Sequence, residues 1–408
     1  MAARVLHVAL IDDSLKYLLG NQLVHLQRGG YEIHAASSPG RWRGELEACG
    51  IRFHPAPLFR SLTPVADLRA IAALVRICRR ERIDIVHTHV AKAGLLGQIA
   101  ARLAGVPHAV NTVHGFLFTD FSHWSRRRFF LAAECLIASL ADLELFQSRE
   151  KLEFAVEAGI CRRAAARYIG NGIDAGRFDP GRLGPGTRER TRAALGIPAD
   201  ALVVGMVAFY AREKGYLEFF EAARRLADEF PSMWFVTSGI ALGQGIRRAI
   251  PDDIAERLGL AGRVVRLRDR SDMPELYSAM DVVTLPSYRE GLPRCLMEAA
   301  MMAKPIVASA ISGVREVVTD GVNGFLVPVR DPDALAGAIG RLARDPELRR
   351  RMGDAGRKHA RAHFDERDVF SRVEAAYREL RSVPAPAGLD QDRTPSRAAG
   401  RDARREAV

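Results

Sequence analysis

Residues 281–324 constrain the fold of this chain more than any other stretch. They open with a short apolar run, 282–285, that a proline stops, and a loop then leads into a helical run beginning near Pro293. A second apolar run, 306–308, follows that helix. A strand, a helix and a strand in this order form one crossover unit of a parallel sheet. Ligands of such sheets bind beyond the carboxyl ends of the strands, so loop 287–292 is a predicted binding site.

Two carboxylates mark this unit. Glu290 lies on the loop, and Glu298 lies in a helical run that is apolar nearly all round. A buried carboxylate needs a partner or a ligand rich in hydroxyl groups. Free N–H groups around Gly291 and Arg294 would suit a phosphate. The spacing alone leaves a second interpretation open, in which Glu298 pairs with Arg294 on an exposed strip and Glu290 is an ordinary loop charge.

Both halves of the chain alternate strand and helix patterns, which predicts an α/β fold with two doubly wound, Rossmann-like domains. The predicted strands are 5–10, 33–36, 83–86, 109–113 and 143–146 in the first half and 202–207, 233–237, 264–267, 282–285 and 306–308 in the second. A segment rich in proline and glycine, 180–186, separates the halves. We therefore expect a first domain at 1–183, a second at 184–366, a last helix at 367–383 and a disordered tail at 384–408.

Three histidines and one lysine lie at predicted strand ends. His87 and His89 are two residues apart, so they share a face of an extended segment, and His114 follows the next strand. They are interpretable as core histidines with satisfied hydrogen bonds, as a fortuitous metal pair, or as groups that face a ligand. Lys214, beside Gly215 at a strand-to-helix junction, suits a phosphate, although an ordinary solvent-facing lysine has the same pattern.

Aromatic residues surround three consecutive arginines, Arg126, Arg127 and Arg128. The aromatic members are Phe116, Phe118, Phe121, Trp124, Phe129 and Phe130. Such a cluster could stack on nucleic-acid bases or rest at the headgroup layer of a membrane. It is equally compatible with a core helix whose basic face is solvated.

Composition narrows the class of protein. The chain of 408 residues is 48% hydrophobic, which fits a two-domain globular protein. Its net charge of +11 fits nucleic acid, an anionic membrane face or an anionic substrate as partner, and the charge alone does not choose among them. No apolar run reaches the length of a membrane span, and no signal-peptide cleavage pattern follows the first residues. The five cysteines show no metal-ligand spacing. We expect a cytoplasmic protein with reduced cysteines.

The eight-residue spacing of Glu290 and Glu298 is set within PSYREGLPRCLMEAAMMAKPIVAS and is followed by GVREVVTDGVNGFLVP. This long match resembles the donor site of the retaining family 4 glycosyltransferases, and most closely their capsular and exopolysaccharide group. The resemblance implies a GT-B fold, in which two Rossmann-like domains face each other across a cleft and the last helix crosses back to the first domain.

The resemblance also implies the chemistry. A sugar would pass from a nucleotide-diphosphate sugar, expected to be UDP-linked, with retention of configuration and without a cofactor or a metal. Glu298 would accept hydrogen bonds from the ribose, and Glu290 and His114 would contact the sugar. The diphosphate would meet Lys214, the backbone of Gly291 and Leu292, and Arg212 or Arg294. His89 and Lys92 would lie at the same cleft, near the sugar or the acceptor.

The chain departs from the family pattern in three places. Phe209 stands where the family has an arginine, which makes Arg212 the candidate substitute. The first loop lacks adjacent glycines, as is common in the capsular group, so Gly20 receives no phosphate role. Residues 237–245 lack the usual short acidic-glycine turn.

The implied acceptor is a lipid-linked sugar or a saccharide, with peripheral contact to an anionic membrane at the inner face of the cytoplasmic membrane and no nucleic acid. Three alternatives remain at this stage. The first is a nucleotide-sugar 2-epimerase of the same fold, which would need acidic residues in the first domain. The second is transfer to a soluble small molecule. The third is a basic nucleic-acid or membrane binder without catalysis.

Overall fold

The computed structural model describes residues 2–59, 61, 63–116, 118, 123–239 and 250–382. A parallel sheet of seven strands organises the first part of the chain, in the order β3-β2-β1-β4-β5-β6-β7. Its strands are β1 (Arg4–Ile11), β2 (Glu32–Ser38), β3 (Arg52–Pro55), β4 (Ile85–His89), β5 (His108–Val113), β6 (Leu143–Phe146) and β7 (Ala166–Tyr168).

Helices connect these strands and cover both faces of the sheet. They are α1 (Asp12–Tyr17), α2 (Gly20–Arg28), α3 (Arg43–Ala48), α4 (Pro64–Glu81), α5 (Ala91–Ala104), α6 (Trp124–Leu140) and α7 (Arg149–Glu157). The sequence pattern predicts a single helix over residues 15–27, which Gly29 and Gly30 would stop. The structure ends α1 at Tyr17 and begins α2 at Gly20, and the Asp12 carboxylate accepts a hydrogen bond from the Trp42 backbone N–H at 2.7 Å.

A second parallel sheet, of six strands, follows the linker in the order β10-β9-β8-β11-β12-β13. Its strands are β8 (Leu202–Val207), β9 (Met233–Gly239), β10 (Val264–Arg268), β11 (Val282–Leu285), β12 (Ile306–Ser309) and β13 (Gly324–Val327). The accompanying helices are α8 (Thr187–Ala194), α9 (Tyr216–Glu229), α10 (Ile254–Arg257), α11 (Met273–Ala279), α12 (Arg294–Met301), α13 (Pro332–Arg344) and α14 (Pro346–His363).

The last helix, α15 (Glu366–Ser382), packs on the first sheet although it follows the second. The chain returns where the Ile173 N–H donates to the Phe364 carbonyl at 2.9 Å. Six side chains of α15 join the core beneath β1 and β2: Val369, Phe370, Val373, Ala376, Tyr377 and Leu380. Burial of each larger apolar side chain contributes about 1.5–3 kcal/mol, which fixes the helix on the first domain.

Two parallel sheets with helices on their faces confirm the predicted α/β architecture with two Rossmann-like domains. The short strands β3 and β13 were not predicted, because four-residue runs carry little periodic signal. The predicted tail at 384–408, most of the atypical segment 237–245 and Phe121 lie outside the described residues.

Candidate active site

Lys214 and Glu290 form an ion pair at the carboxyl ends of two adjacent strands of the second sheet. Lys214 ends the short turn Arg212–Lys214 that follows β8, and Glu290 lies on the loop between β11 and α12. Lys214 Nζ lies 2.7 Å from one oxygen of the Glu290 carboxylate and 2.9 Å from the other. The pair joins two residues that the sequence analysis had placed in the donor site.

Backbone geometry holds the two loops together. Gly215 has a φ of +81°, and a Cβ atom there would lie 2.0 Å from the Pro286 carbonyl oxygen, so only glycine fits. The Tyr288 N–H donates to the Glu213 carbonyl at 2.9 Å, and the Ser287 hydroxyl donates to the same carbonyl at 3.1 Å. Lys214 is therefore presented to Glu290 by a rigid backbone.

Glu298 lies on α12, where its carboxylate accepts a hydrogen bond from the Tyr277 hydroxyl at 3.0 Å. Burial raises the pKa of Glu298, while the charge of Arg294 opposes this shift. The spacing of Glu298 and Arg294 by one helical turn also allows these two residues to pair. The hydrogen bond to Glu298 comes instead from a tyrosine of α11, a contact that no local spacing reveals.

Two further predicted donor residues, Arg212 and Arg294, lie close in sequence to Lys214 and Glu290. Arg212 is exposed at the start of the Lys214 turn, and Arg294 is half-buried in the first turn of α12. The first N–H groups of a helix have no partner within the helix, so the start of α12 offers donors to an anion. Phe209, which replaces the arginine of the family pattern, is 48% exposed.

The two domains touch at Gly291, the residue after Glu290. A Cβ atom on Gly291 would lie 2.0 Å from the His114 carbonyl oxygen of the first domain. Gly313, which has a φ of +81°, also packs directly against Gly291. A Cβ atom added to Gly313 would lie 1.6 Å from the Gly291 carbonyl oxygen. This contact brings the His114 backbone next to the loop that carries Glu290, while the sugar contact of His114 stays a prediction.

Polar contacts from the first domain reinforce the approach. Lys151 of α7 donates to the Gly291 carbonyl at 3.3 Å and to the Ser312 hydroxyl at 3.2 Å, and burial lowers the pKa of Lys151. The Asn171 side-chain amide donates to the Leu292 carbonyl at 3.1 Å. Sequence reasoning missed both residues, since each acts on a loop more than a hundred positions away.

Glu316 of the second domain caps the N-terminus of α7 in the first. Its carboxylate accepts hydrogen bonds from the Arg149 N–H at 3.1 Å and the Glu150 N–H at 3.3 Å, and also from the Ser148 hydroxyl. A carboxylate at a helix N-terminus satisfies unpaired donors and complements the helix dipole. The cap spans the domain boundary, so it stabilises the contact between the two domains.

A cavity of about 400 Å³ lies between the domains beside Glu290. Its apolar wall comes from the first domain and contains Phe116, Phe118 and Phe154. Its charged lining includes Glu150, Lys151, Arg289, Glu290 and Arg315. The cavity can therefore take a ligand with an apolar part and an anionic part close to the donor loop.

His89 and Lys92, predicted at the acceptor or elsewhere in the cleft, do not line this cavity. His89 is 2% exposed and lies behind His114, with its Nδ1 3.2 Å from His114 Nε2. Lys92 pairs with Asp67 of α4, Nζ to carboxylate 2.7 Å. In a doubly wound sheet, helices cover both faces of the central strands. A side chain on either face of such a strand is therefore buried, as His89 is.

The aromatic cluster of the sequence analysis divides between two surfaces. Phe116 and Phe118 point into the cavity, and Phe130 packs on the adjoining core. On α6, Trp124 is 67%, Phe129 58% and Leu136 47% exposed. Arg126 and Arg128 are exposed on the same helix. Within the described residues, no helix combines the length and the hydropathy that crossing a membrane requires.

Two family profiles match the chain, one in each domain. The profile described as "Glycosyl transferase 4-like domain" matches residues 19–172, and "Glycosyl transferases group 1" matches residues 187–359. The chain is 30% identical to "UDP-Gal:alpha-D-GlcNAc-diphosphoundecaprenol alpha-1,3-galactosyltransferase" of Escherichia coli, over 72% of this chain and 76% of that protein. It is 23% identical to "Capsular polysaccharide biosynthesis glycosyltransferase CapM" of Staphylococcus aureus, over 92% of this chain and 96% of that protein.

Solved structures share the architecture. HepE of Anabaena in complex with UDP and glucose superposes with a TM-score of 0.76 at 23% identity, covering 93% of this chain and 99% of that chain. WaaG, a glycosyltransferase involved in lipopolysaccharide biosynthesis, gives 0.73 at 16% identity, covering 92% and 99%. These likenesses concern the fold. Together with the matched profiles and relatives, they show that the chain belongs to the family 4 glycosyltransferases, which have the GT-B fold.

Proposed function

We propose that this glycosyltransferase moves a sugar from a UDP-linked donor, with retention of configuration, to a lipid-linked or saccharide acceptor in surface polysaccharide synthesis. The observation that carries the proposal is the Lys214–Glu290 pair, which lies beyond the carboxyl ends of β8 and β11 and whose Glu290 lines the cavity between the domains. The Escherichia coli relative is named for a UDP-sugar donor and a diphosphoundecaprenol-linked acceptor.

In this proposal the diphosphate binds between Lys214 and the start of α12, with Arg212 or Arg294 as a second cation. Glu298 accepts hydrogen bonds from the ribose hydroxyls, and Glu290 holds hydroxyls of the sugar together with His114. The chemical demand is to stabilise the charge that develops on the leaving diphosphate, which fixed cations and N–H groups accomplish. The proposal includes no metal, so we expect transfer to continue in EDTA.

The acceptor binds in the cavity beside Glu290. Its apolar wall, Phe116, Phe118 and Phe154, suits a lipid or the apolar face of a sugar, and its cationic groups suit a phosphate. His114 and the exposed apolar and basic side chains of α6 both follow β5 in the chain, beyond its carboxyl end. Contact of that face with an anionic membrane, at its cytoplasmic side, would bring a lipid-linked acceptor to the cleft.

A panel of nucleotide sugars in a thermal-shift assay tests the donor, because a ligand stabilises only the state that it binds. We expect UDP-sugars to raise the Tm most. The active donor is then incubated with lipid-linked and soluble acceptors, and the anomeric configuration of the product is read by NMR. An inverted product contradicts retention, and interconversion of the sugar without an acceptor identifies an epimerase instead. A chain that no nucleotide sugar stabilises is not the proposed enzyme.

A further inference from the structure

Two side chains of the first domain hold successive carbonyls of loop 287–292 in the second. Lys151 Nζ donates to the Gly291 carbonyl at 3.3 Å, and the Asn171 amide donates to the Leu292 carbonyl at 3.1 Å. The next residue is Pro293, which has no N–H. The first domain therefore contacts two consecutive peptide groups of the loop, and only the peptide that joins Gly291 to Leu292 carries an N–H.

The N–H of that peptide belongs to Leu292, which is 5% exposed. Within the described part of the chain, no acceptor for this N–H is found. More than about 90% of buried backbone N–H groups in proteins have a hydrogen-bond partner. A buried N–H without one is therefore a donor that is open to a ligand.

The planarity of the peptide sets the direction of this donor. In a trans peptide the C=O and N–H bonds point to opposite sides. The Gly291 carbonyl is turned towards Lys151 of the first domain. The Leu292 N–H is therefore turned away from the first domain, towards the second, where Lys214 and the first turn of α12 also lie.

Lys151 has a fixed place at the contact between the domains. Its side chain is 8% exposed, and its Nζ also donates to the Ser312 hydroxyl at 3.2 Å. Burial lowers the pKa of Lys151, and the carboxylates of Glu316, Glu150 and Glu290 oppose this shift. Hydrogen bonds from a charged donor are stronger than neutral ones, so the ammonium directs the carbonyl that it contacts.

We propose that Lys151 is a positioning residue, which orients the peptide between Gly291 and Leu292 so that its N–H binds the diphosphate of the donor. This inference rests on the proposed function. Charge on the diphosphate grows as the sugar leaves, and an oriented N–H stabilises that charge. Because Lys151 belongs to the first domain, the anion site of the second domain is complete only when the domains are in contact.

A simpler role for Lys151 would be to hold the two domains together. Glu316 offers a comparison, since its carboxylate joins the domains through the N–H groups at the start of α7. Among the described residues, that carboxylate makes no hydrogen bond to loop 287–292. Glu316→Gln is therefore the matched control, because it alters a polar contact between the domains without altering the contact of Lys151 with Gly291.

Selective labelling reads the peptide in the free protein. Glycine labelled with ¹³C at the carbonyl and leucine labelled with ¹⁵N confine the amide spectrum to the four Gly–Leu pairs of the sequence, 94–95, 259–260, 291–292 and 388–389. Leu292→Met conserves volume and removes one signal, which assigns Leu292. We expect Lys151→Met to shift this signal and Glu316→Gln to leave it in place. An unchanged Leu292 signal in folded Lys151→Met would overturn the proposal.

Addition of UDP tests the anion contact. In the parent, UDP should move the Leu292 amide proton downfield, and in Lys151→Met the shift should be smaller. If calorimetry shows that UDP binds while the Leu292 signal stays unmoved, the proposal fails and the proposed function stands. If no nucleotide binds, the proposed function fails and the diphosphate contact with it, whereas the spectra of the free protein still decide whether Lys151 orients the peptide.

Turnover measures the consequence for the reaction. Removal of one donor from an oxyanion hole costs about 10²–10³-fold in kcat. Lys151→Met only misorients such a donor, so we expect kcat to fall by about 10–100-fold, while donor KM changes much less. An equal fall of kcat in Glu316→Gln would assign the loss to the contact between the domains and overturn the positioning role.

Lys151→Met is expected to fold, because the carboxylates near Lys151 keep other partners. Glu150 pairs with Arg315, and Glu290 pairs with Lys214. If the variant does not fold, Lys151→Gln, which has a shorter and neutral side chain, takes its place in each measurement. The same outcomes then support or overturn the proposal.

Discussion

Lys214 Nζ lies 2.7 and 2.9 Å from the two carboxylate oxygens of Glu290, so a cation and an anion assigned to different parts of the donor neutralise each other in the free protein. An incoming diphosphate would compete with Glu290 for Lys214. Its binding would release the Glu290 carboxylate to accept hydrogen bonds from the sugar. The pair thus keeps both charges compensated until a donor arrives.

The first prediction concerns the separate roles of Lys214 and Glu290 in donor binding and turnover. Glu290→Gln should lower turnover strongly, because the sugar loses a charged acceptor. The affinity for the free nucleotide diphosphate should stay the same or rise, because Lys214 no longer has a competing carboxylate. Lys214→Met should instead weaken nucleotide and nucleotide sugar alike, by about 1–3 kcal/mol.

Calorimetric titration with UDP and with the UDP-sugar, beside steady-state kinetics, checks both variants. Glu347→Gln, on the exposed face of α14, is the control for removing one carboxylate. Equal losses for nucleotide and nucleotide sugar in Glu290→Gln would place Glu290 at the nucleotide and not at the sugar.

The second prediction concerns the ribose. Glu298→Gln should weaken binding of the nucleotide sugar by about 1–3 kcal/mol, the usual contribution of a hydrogen bond to a charged group. Tyr277→Phe keeps the carboxylate and removes its internal donor, so it should affect the donor less. Titration calorimetry compares the two. Unchanged donor affinity in folded Glu298→Gln would exclude the ribose contact.

The third prediction concerns α6. Replacement of Arg126, Arg127 and Arg128 by glutamate should weaken binding to anionic vesicles, since each arginine near such a surface contributes about 1 kcal/mol. Salt should weaken the parent's binding in the same direction. The exposed aromatic side chains Trp124 and Phe129 should contribute a part of the vesicle affinity that salt does not weaken.

Vesicle sedimentation measures this binding, and transfer to a lipid-linked acceptor measures its consequence. The matched control places the same charge change on α14, at the exposed residues Arg351, Lys358 and Arg361. If the α6 variant sediments as the parent does, α6 is only a solvated surface, and a soluble acceptor becomes the better hypothesis.

The fourth prediction concerns pH and stability. Burial raises the pKa of Glu144 to about 8 and that of Glu134 to about 7. The folded chain holds these protons more tightly than the unfolded chain, so the stability they contribute is lost as pH rises through these values. The buried histidines oppose this trend only below their unfolded pKa of about 6.5. The free energy of unfolding should therefore fall between pH 6.5 and 8.

Glu144→Gln isolates this effect, because a glutamine still offers an oxygen to the Asn111 amide, which donates to Glu144 at 2.9 Å. We expect the variant to lose less stability over that pH range, by about 1–2 kcal/mol. Thermal unfolding at pH 6.5, 7.2 and 8 provides the measurement, again with Glu347→Gln as control. Parallel Tm curves for parent and variant would contradict the assignment.

The sequence singled out residues of the candidate donor site but did not predict the contacts among them. Lys214, Glu290 and Glu298 stand out because each interrupts a local pattern at a strand end or in an apolar helix. That Lys214 pairs with Glu290 depends on the adjacency of β8 and β11, which local periodicity does not encode. Tyr277 escaped notice because a buried tyrosine in an apolar run looks like any other core residue.

The histidines show what a local sequence pattern predicts and what it does not. The two-residue spacing of His87 and His89 correctly indicates a shared face. Nothing in that spacing says that α15, almost three hundred residues later, covers this face and places Tyr377 on it. Long-range contacts of this kind decide whether a polar group meets solvent or core.

The contact of Gly291 with His114 and Gly313 leaves no space for even a methyl group. The distance between the domains is therefore set by the thickness of bare backbone and not by interchangeable side chains. A single added carbon at Gly291 would act as a wedge that shifts the population towards a parted arrangement, while every group assigned to the chemistry stayed intact. In the proposed mechanism this variant would still bind the nucleotide on its second domain, and its defect would lie only in bringing the two domains together.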